Sequence, residues 1–312
     1  MRVLVTGGSG FIGSHVVDQL HAAGHTPCSF DRRPSPFHAP DEVETVIGDI
    51  LDPAALSAAM EGCDAVLHLA AAADVGEVAK DPAGAEALNS RGTFNVLEAA
   101  RGQAIEHVLY ASTIWVYSDG ASRRVDEDEQ LALPSHLYTA TKLAGEAYCR
   151  SYAALYGVRT TILRFGIPYG PRARPAAVVP AFVERALAGE PLTIAGDGAQ
   201  SRRFVYVEDL AEGAVRALQP CREDSCRVYN LVSDRDVSIR EIAEVVRDVV
   251  GETEIVFTPA RTADFGGVAV CGERAASELG WSARTPFEEG VRRYVAWRRG
   301  EELTAGDALV TA

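Results

Sequence analysis

The sequence predicts an α/β fold built on a doubly wound parallel sheet, with a smaller region toward the C-terminus. Three observations carry this expectation. Short β-rich runs alternate with longer helical patterns through the first half of the chain, the order expected of a parallel sheet covered on both faces. A glycine-rich loop stands between the first such run and the first helical pattern. After Arg164 the alternation breaks down as Pro168, Pro171, Pro175, Pro180 and Pro191 appear, which marks the start of a different region.

Strands are predicted at residues 2–5, 26–31, 44–47, 65–69, 107–111 and 159–164, each short, apolar or β-branched and bounded by turn residues. Helices are predicted between them at 10–23, 54–60, 83–101 and 138–156. Six parallel strands joined by crossover helices make a Rossmann-type sheet. Residues 204–207 and 228–231 also read as strands, with a helix at 210–218 between them, and they can rejoin the sheet. A helix at 239–250, a strand at 254–257, a helix at 287–298 and a loose tail complete the chain. The expected division is 1–165 with 203–232 as one unit, and 166–202 with 233–312 as the other.

Composition narrows the function. With 47% hydrophobic residues in 312, the chain can bury a full core. Its net charge is −14 and its arginines are dispersed among 44 acids without a basic tract, which argues against nucleic acid as the main partner. No apolar run approaches the length of a membrane span, and Met1 leads directly into a strand-like segment, so the expected location is cytoplasmic. Cys28, Cys63, Cys149, Cys221, Cys226 and Cys271 form no cluster with metal-ligand spacing. They read as reduced thiols, Cys221 and Cys226 included, and no metal is expected.

The loop Thr6-Gly7-Gly8-Ser9-Gly10-Phe11-Ile12-Gly13 lies where a strand ends and a helix begins. Glycines there let the backbone approach a pyrophosphate, and the helix N-terminus directs N–H groups at the anion. Asp31, at the end of the second strand, can accept hydrogen bonds from both adenosine ribose hydroxyls and would repel a 2′-phosphate. The cofactor expected is therefore NAD rather than NADP, with Arg32 and Arg33 the residues that weigh the other way. Asp49 and Ile50 end the third strand, where an acid can meet the adenine edge. Leu69, Ala70 and Ala71 follow the fourth strand, and their small side chains leave room for the cofactor's backbone.

Only two of the 30 basic residues are lysines, and one of them, Lys142, stands four residues after Tyr138. Residues four apart share a helix face, so the ammonium can sit beside the phenol and favour its ionised form. That pairing would make a tyrosine a base near neutral pH.

These residues resemble the extended short-chain dehydrogenase/reductase family, in particular its NAD-dependent nucleotide-sugar epimerases and dehydratases. The resemblance runs from Met1 to about Arg299. It rests on the glycine loop, His68-Leu69-Ala70-Ala71, Asn89 with Gly92-Thr93, Ala111-Ser112-Thr113 before Val116-Tyr117, the Tyr138/Lys142 pair and Pro168-Tyr169-Gly170-Pro171. It implies a bound NAD that oxidises a sugar carbon, with Thr113 on the reacting hydroxyl, Tyr138 taking its proton, and Lys142 on the nicotinamide ribose. Asn89 matches the family asparagine on the helix beneath the cofactor. The same resemblance implies a UDP-sugar substrate met by Thr113, Ile167, Val178, Thr193, Arg202, Arg261 and Asp264. Arg202 and Arg261 would bind the diphosphate. It also implies a homodimer through the 83–101 and 138–156 helices.

Departures from the family pattern limit the reaction. Ile167 replaces a frequent asparagine, and Arg203 stands where relatives place an acid. Dehydratases carry Asp-Glu after the catalytic threonine and related decarboxylases keep a glutamate; Ile114 and Trp115 stand here instead. Neither can move a second proton, so a 4-epimerase is the leading expectation, of UDP-glucose, UDP-N-acetylglucosamine or UDP-glucuronate. Arg172 and Arg174 lean toward the uronate. A 4-ketoreductase, a dehydratase-like enzyme using His136 or a cysteine as base, and a non-catalytic NAD sensor are the alternatives.

Overall fold

The computed structural model describes residues 1–118, 124–219, 225–259 and 268–301. Its centre is a sheet of seven parallel strands: β1 (Arg2–Thr6), β2 (Thr26–Asp31), β3 (Glu44–Ile47), β4 (Ala65–His68), β5 (His107–Thr113), β6 (Arg159–Phe165) and β7 (Cys226–Leu231). Their spatial order is β7-β6-β5-β4-β1-β2-β3. The 228–231 run thus joins the sheet as a seventh strand beside β6. The 204–207 run does not: Phe204–Tyr206 pairs instead with Ile167–Tyr169, in a separate parallel ribbon.

Alternation along the strands divides the core. Val3 and Val5 of β1 face one side with Leu67, Leu109, Leu163 and Leu231, packed under Val16, Val17 and Leu20 of helix α1 (Phe11–Ala22). Leu4 faces the other with Val66, Val108 and Ile162, beneath helices α2 (Pro53–Met60), α3 (Gly92–Gly102) and α4 (Leu137–Tyr156). With both faces covered, the strands read as continuous apolar runs.

Local chemistry sets the helix ends. Asp52 caps α2 by accepting from Ala54 N at 2.9 Å and Ala55 N at 3.1 Å, with Pro53 in the first turn. Gly157, at φ 69°, ends α4 in the left-handed conformation that other residues resist. The single helix expected over 83–101 is in fact a Pro82–Glu86 helix, a π-helical turn at Ala87–Arg91, and α3. Such a turn inserts one extra residue into the helical ladder, and no propensity pattern announces it.

A third core, built from Tyr169, Phe182, Val183, Ile194, Phe204, Val246, Phe287 and Tyr294, holds the C-terminal region together. The strand expected at 254–257 spans Ile255–Thr258 and pairs in parallel with Leu192–Ala195. No helix among the described residues is long and apolar enough to cross a membrane.

Candidate active site

The strand order reverses between β1 and β4. Loops leaving the carboxyl ends of strands at such a reversal enclose a crevice that a helix N-terminus can face. Gly7 sits there at φ 74°, with its N–H donated to Phe30 O at 2.8 Å. A Cβ on Gly7 would lie 2.9 Å from Ala70 N, and one on Gly13 would overlap Gly7 O. A side chain at either position would displace backbone. Phe11 and Ile12 open α1 behind Gly10, and no side chain caps that helix, so its first N–H groups remain for an anion.

Asp31 receives two backbone N–H groups, Ser9 N on Oδ2 and Arg33 N on Oδ1, each at 3.2 Å. Ser9 Oγ donates to Arg33 O at 2.9 Å, so the glycine loop and the segment after β2 hold one another around this carboxylate. Arg32 projects from the same segment and is exposed. Asp49 Oδ1 accepts from Leu51 N at 2.9 Å, closing a local turn. Ile50 is a core residue, its carbonyl accepting from Asn95 Nδ2 at 3.0 Å.

A polar thread missed by the sequence reading runs beneath these loops. Thr6 Oγ1 meets His68 Nδ1 at 2.7 Å and accepts from Ala70 N at 3.3 Å. His68 Nε2 meets Thr93 Oγ1 at 3.0 Å, and Thr93 donates its proton to Asn89 O at 2.6 Å. That donation leaves Thr93 only acceptor capacity toward the ring, so His68 carries its proton on Nε2 and accepts from Thr6 on Nδ1. Complete burial holds His68 neutral, its pKa pushed down to about 3. The signal available in the sequence was a histidine and two threonines at strand ends and on an apolar helix face. Asn89, in the π turn, accepts from Ala72 N at 2.7 Å and donates to Ala72 O and Thr141 Oγ1, both at 3.0 Å. It thereby ties the segment after Leu69, Ala70 and Ala71 to α4.

The end of β5 lies against the start of α4. Thr113 caps the 3-10 turn Ile114–Tyr117 by accepting from Trp115 N at 3.3 Å, and its hydroxyl lies near enough to the Tyr138 phenol to favour the phenolate. Tyr138 is 9% exposed and packs with Val78 and Ala85. Lys142, 4% exposed, donates from Nζ to Ala111 O at 2.8 Å.

The expectation that Lys142 would lower the phenol pKa is corrected here. Burial pushes Tyr138 up to about 12, opposed by the nearby Thr113 hydroxyl and the Arg174 guanidinium. Lys142, pulled down to about 8 by its own burial, is held by the strand carbonyl. Sharing a helix face brought the two residues to one site but did not decide where the long lysine side chain ends.

A family model described as the NAD dependent epimerase/dehydratase family matches residues 3–231. The chain belongs to this NAD-dependent epimerase/dehydratase family. It is 32% identical to a probable UDP-glucuronate 4-epimerase of Rhizobium meliloti, over 95% of this chain and 96% of that protein. A UDP-glucose 4-epimerase of Thermotoga maritima, crystallised with UDP-glucose, superposes with a TM-score of 0.88 at 29% identity, covering 96% of this chain and 99% of that one. The protein MoeE5, crystallised with UDP-glucuronic acid and NAD, also has a TM-score of 0.88, at 31% identity and the same coverage.

In this member of the epimerase/dehydratase family the cofactor is NAD, and the crevice fits it. Gly7 and Gly13 leave no room for a side chain in the loop, the helix behind it is uncapped, and Asp31 presents acceptors beside it. The two positions after Thr113 hold a buried Ile114 and a half-buried Trp115, whose ring packs edge to face on His136 with centroids 6.1 Å apart.

The other residues expected on the substrate are spread over the C-terminal region. Ile167 and Val178 are partly buried against the third core, and Thr193 is exposed on Leu192–Ala195. Arg202 is half-buried and donates from Nη1 to Ser201 O at 2.7 Å. Arg261 and Asp264 lie outside the described residues, as does Cys221.

Arg203, whose role the sequence leaves open, pairs with Asp236 at 3.0 Å and donates to Ser233 O at 2.8 Å. Its charge is answered by an acid from the neighbouring loop. Arg174, named in the sequence only as a lean toward uronates, pairs with Asp74 at 2.9 Å and lies near enough to Tyr138 to favour its phenolate.

Proposed function

We propose that this chain inverts C4 of a UDP-sugar in an NAD-dependent reaction that passes through a transient 4-keto sugar. The observation that carries this reading is the cluster of Thr113, Tyr138 and Lys142 at the end of β5, followed by Ile114 and Trp115, which exchange no protons. Chemistry that needs a second acid at those positions, such as dehydration, has no donor there. The names of the relatives, UDP-glucuronate 4-epimerase and UDP-glucose 4-epimerase, support the same reaction.

NAD, held by the glycine loop, Asp31 and residues 69–71, supplies the hydride acceptor and then the hydride donor. Tyr138 takes the proton of the 4-hydroxyl and returns it once the sugar has presented its other face. Thr113, beside the phenol, orients the same oxygen. Burial keeps Tyr138 protonated in its resting form, which suits the reprotonation half of the cycle; taking the proton is helped by the Arg174 charge. Lys142 clasps β5 through Ala111 O and would hold the nicotinamide ribose of a bound NAD. Asn89 fixes the small-residue segment after β4, which would help hold the cofactor.

Among UDP-glucose, UDP-N-acetylglucosamine and UDP-glucuronate, the uronate is favoured by Arg174, a cation close to the reacting centre and paired only with Asp74 among the ion pairs of the described residues. The test is incubation with each UDP-sugar and NAD, followed by product analysis and cofactor absorbance. The reading expects the C4 epimer with no net change in NADH. Sustained oxidation of NADH added in place of NAD would instead mark a 4-ketoreductase.

We further propose a cytoplasmic homodimer, with 1–165 and 203–232 as the cofactor unit. Leu155 and Tyr156 are exposed at the end of α4, which packs on α3, and offer the apolar surface for the partner. Sedimentation at twice the chain mass is the expected result.

A further inference from the structure

Two consecutive residues at the end of β5 are held by α4, and the next, Thr113, lies beside Tyr138 of the same helix. Ala111 O accepts from Lys142 Nζ at 2.8 Å, and Ser112 Oγ donates to Glu146 Oε1 at 2.6 Å. Glu146 is 3% exposed and carries a fork of two further bonds from Arg164 of β6, Nε to Oε1 at 2.9 Å and Nη2 to Oε2 at 2.7 Å. Arg164 is 1% exposed and also donates from Nη1 to Tyr117 OH at 2.6 Å. Tyr117 donates to Asn230 Oδ1 at 2.9 Å, and Asn230 N donates to Glu127 Oε1 at 2.8 Å. A buried, fully bonded ion pair thus sits directly behind the site. Such pairs often contribute little net stability compared with apolar residues of the same volume, and no step of the proposed reaction touches this one.

We propose that Glu146 and Arg164 are positioning residues that hold the end of β5, and with it Thr113, against α4, while Glu146 sets its carboxylate on the same face of α4 as the Lys142 ammonium. The proposal rests on reading Thr113, Tyr138 and Lys142 as the reacting cluster. The ionisable groups around Lys142 are Tyr110 of β5, whose ring lies 5.1 Å from Nζ, His68 of β4, and Tyr138, Glu146 and Cys149 of α4 itself. Tyr110, Tyr138 and Cys149 are kept protonated by burial, and His68 is neutral. Cys149 and Glu146 both favour the ammonium, and Glu146 stands four residues after Lys142, on the same face of α4. Arg164 and Ser112 hold its carboxylate in place.

The test uses the scarcity of lysine. Lys80 and Lys142 are the only two, so carbon-13 lysine labelling of the NAD-loaded protein yields two ε-methylene signals, and K80R assigns them. In the wild type the Lys142 signal titrates near pH 8. In Glu146→Gln, which keeps the side-chain shape and removes the charge, the midpoint falls by about one pH unit or more. In Ser112→Ala the charge remains and the midpoint stays, but kcat drops about three- to tenfold with KM unchanged, the pattern of a lost transition-state arrangement.

A Glu146→Gln midpoint equal to the wild type overturns the charge role, and a Ser112→Ala protein with wild-type kcat overturns the positioning role. Ser112→Ala keeps the test alive if Glu146→Gln does not fold. The titration needs no substrate, so it stands even if the wild type epimerises no UDP-sugar, an outcome that would sink the functional reading alone.

Discussion

Lys142 Nζ donates to Ala111 O at 2.8 Å, so the lysine clasps β5 two residues before Thr113. Tyr138 lies beside Thr113 and packs with Val78 and Ala85. Tyr138→Phe keeps that packing and removes only the proton carrier. It should lower kcat by roughly 10²–10⁴ while NAD binding, followed by calorimetry, remains at the wild-type level. Wild-type turnover in this variant would remove Tyr138 from the chemistry.

Gly13 and Gly10 belong to one motif but differ in what surrounds them. A Cβ on Gly13 would overlap the Gly7 carbonyl, whereas one on Gly10 would rest 3.1 Å from the same atom. Gly13→Ala should therefore abolish measurable NAD binding or destabilise the fold. Gly10→Ala should weaken binding by about tenfold or less, a loss of about 1.4 kcal/mol. Equal effects would mean that backbone closure does not set the loop.

Most of the sheet was legible because strands buried on both faces are continuous apolar runs, and the glycine loop was legible because its backbone tolerates no side chain. The π turn carrying Asn89 was not, since Ala87 to Arg91 read as ordinary helix. Nor was the Lys142 contact, which depends on where a flexible side chain finds a carbonyl. The pairing of Phe204–Tyr206 with Ile167–Tyr169, away from the main sheet, depends on contacts between segments distant in sequence. The contacts of His68 and Glu146 were hidden for a related reason: their partners come largely from other strands and helices, and no local pattern joins them.

His15, His68 and His107 are buried, and burial pulls their pKa values down to about 4, 3 and 3. The unfolded chain takes up these protons near pH 6.5, so the stability contributed by the neutral rings is complete above that pH and is lost as pH falls toward 4. Three such groups give a slope approaching roughly 4 kcal/mol per pH unit across that window. Urea unfolding at pH 7, 6 and 5 should show steadily falling midpoints. A flat profile over that range would mean that the rings are protonated in the folded protein.

Arg174 pairs with Asp74 beside Tyr138. Arg174→Ala should raise KM for UDP-glucuronate at least tenfold, in keeping with about 1.5–3 kcal/mol for a charged hydrogen bond. The KM for UDP-glucose should change little. Because the guanidinium also favours the phenolate, kcat should decline for both sugars, most visibly at low pH. A uniform KM change across the two substrates would place the carboxylate elsewhere.

The central claim is that one hydride leaves C4 and returns to the same carbon. Its most direct test is turnover of UDP-glucuronate carrying deuterium at C4, in ordinary water with NAD, read by mass spectrometry of the product. The predicted result is a 4-epimer that retains its deuterium, with no accumulation of NADH. Loss of deuterium from C4, or turnover that stops unless NADH is added, would contradict it.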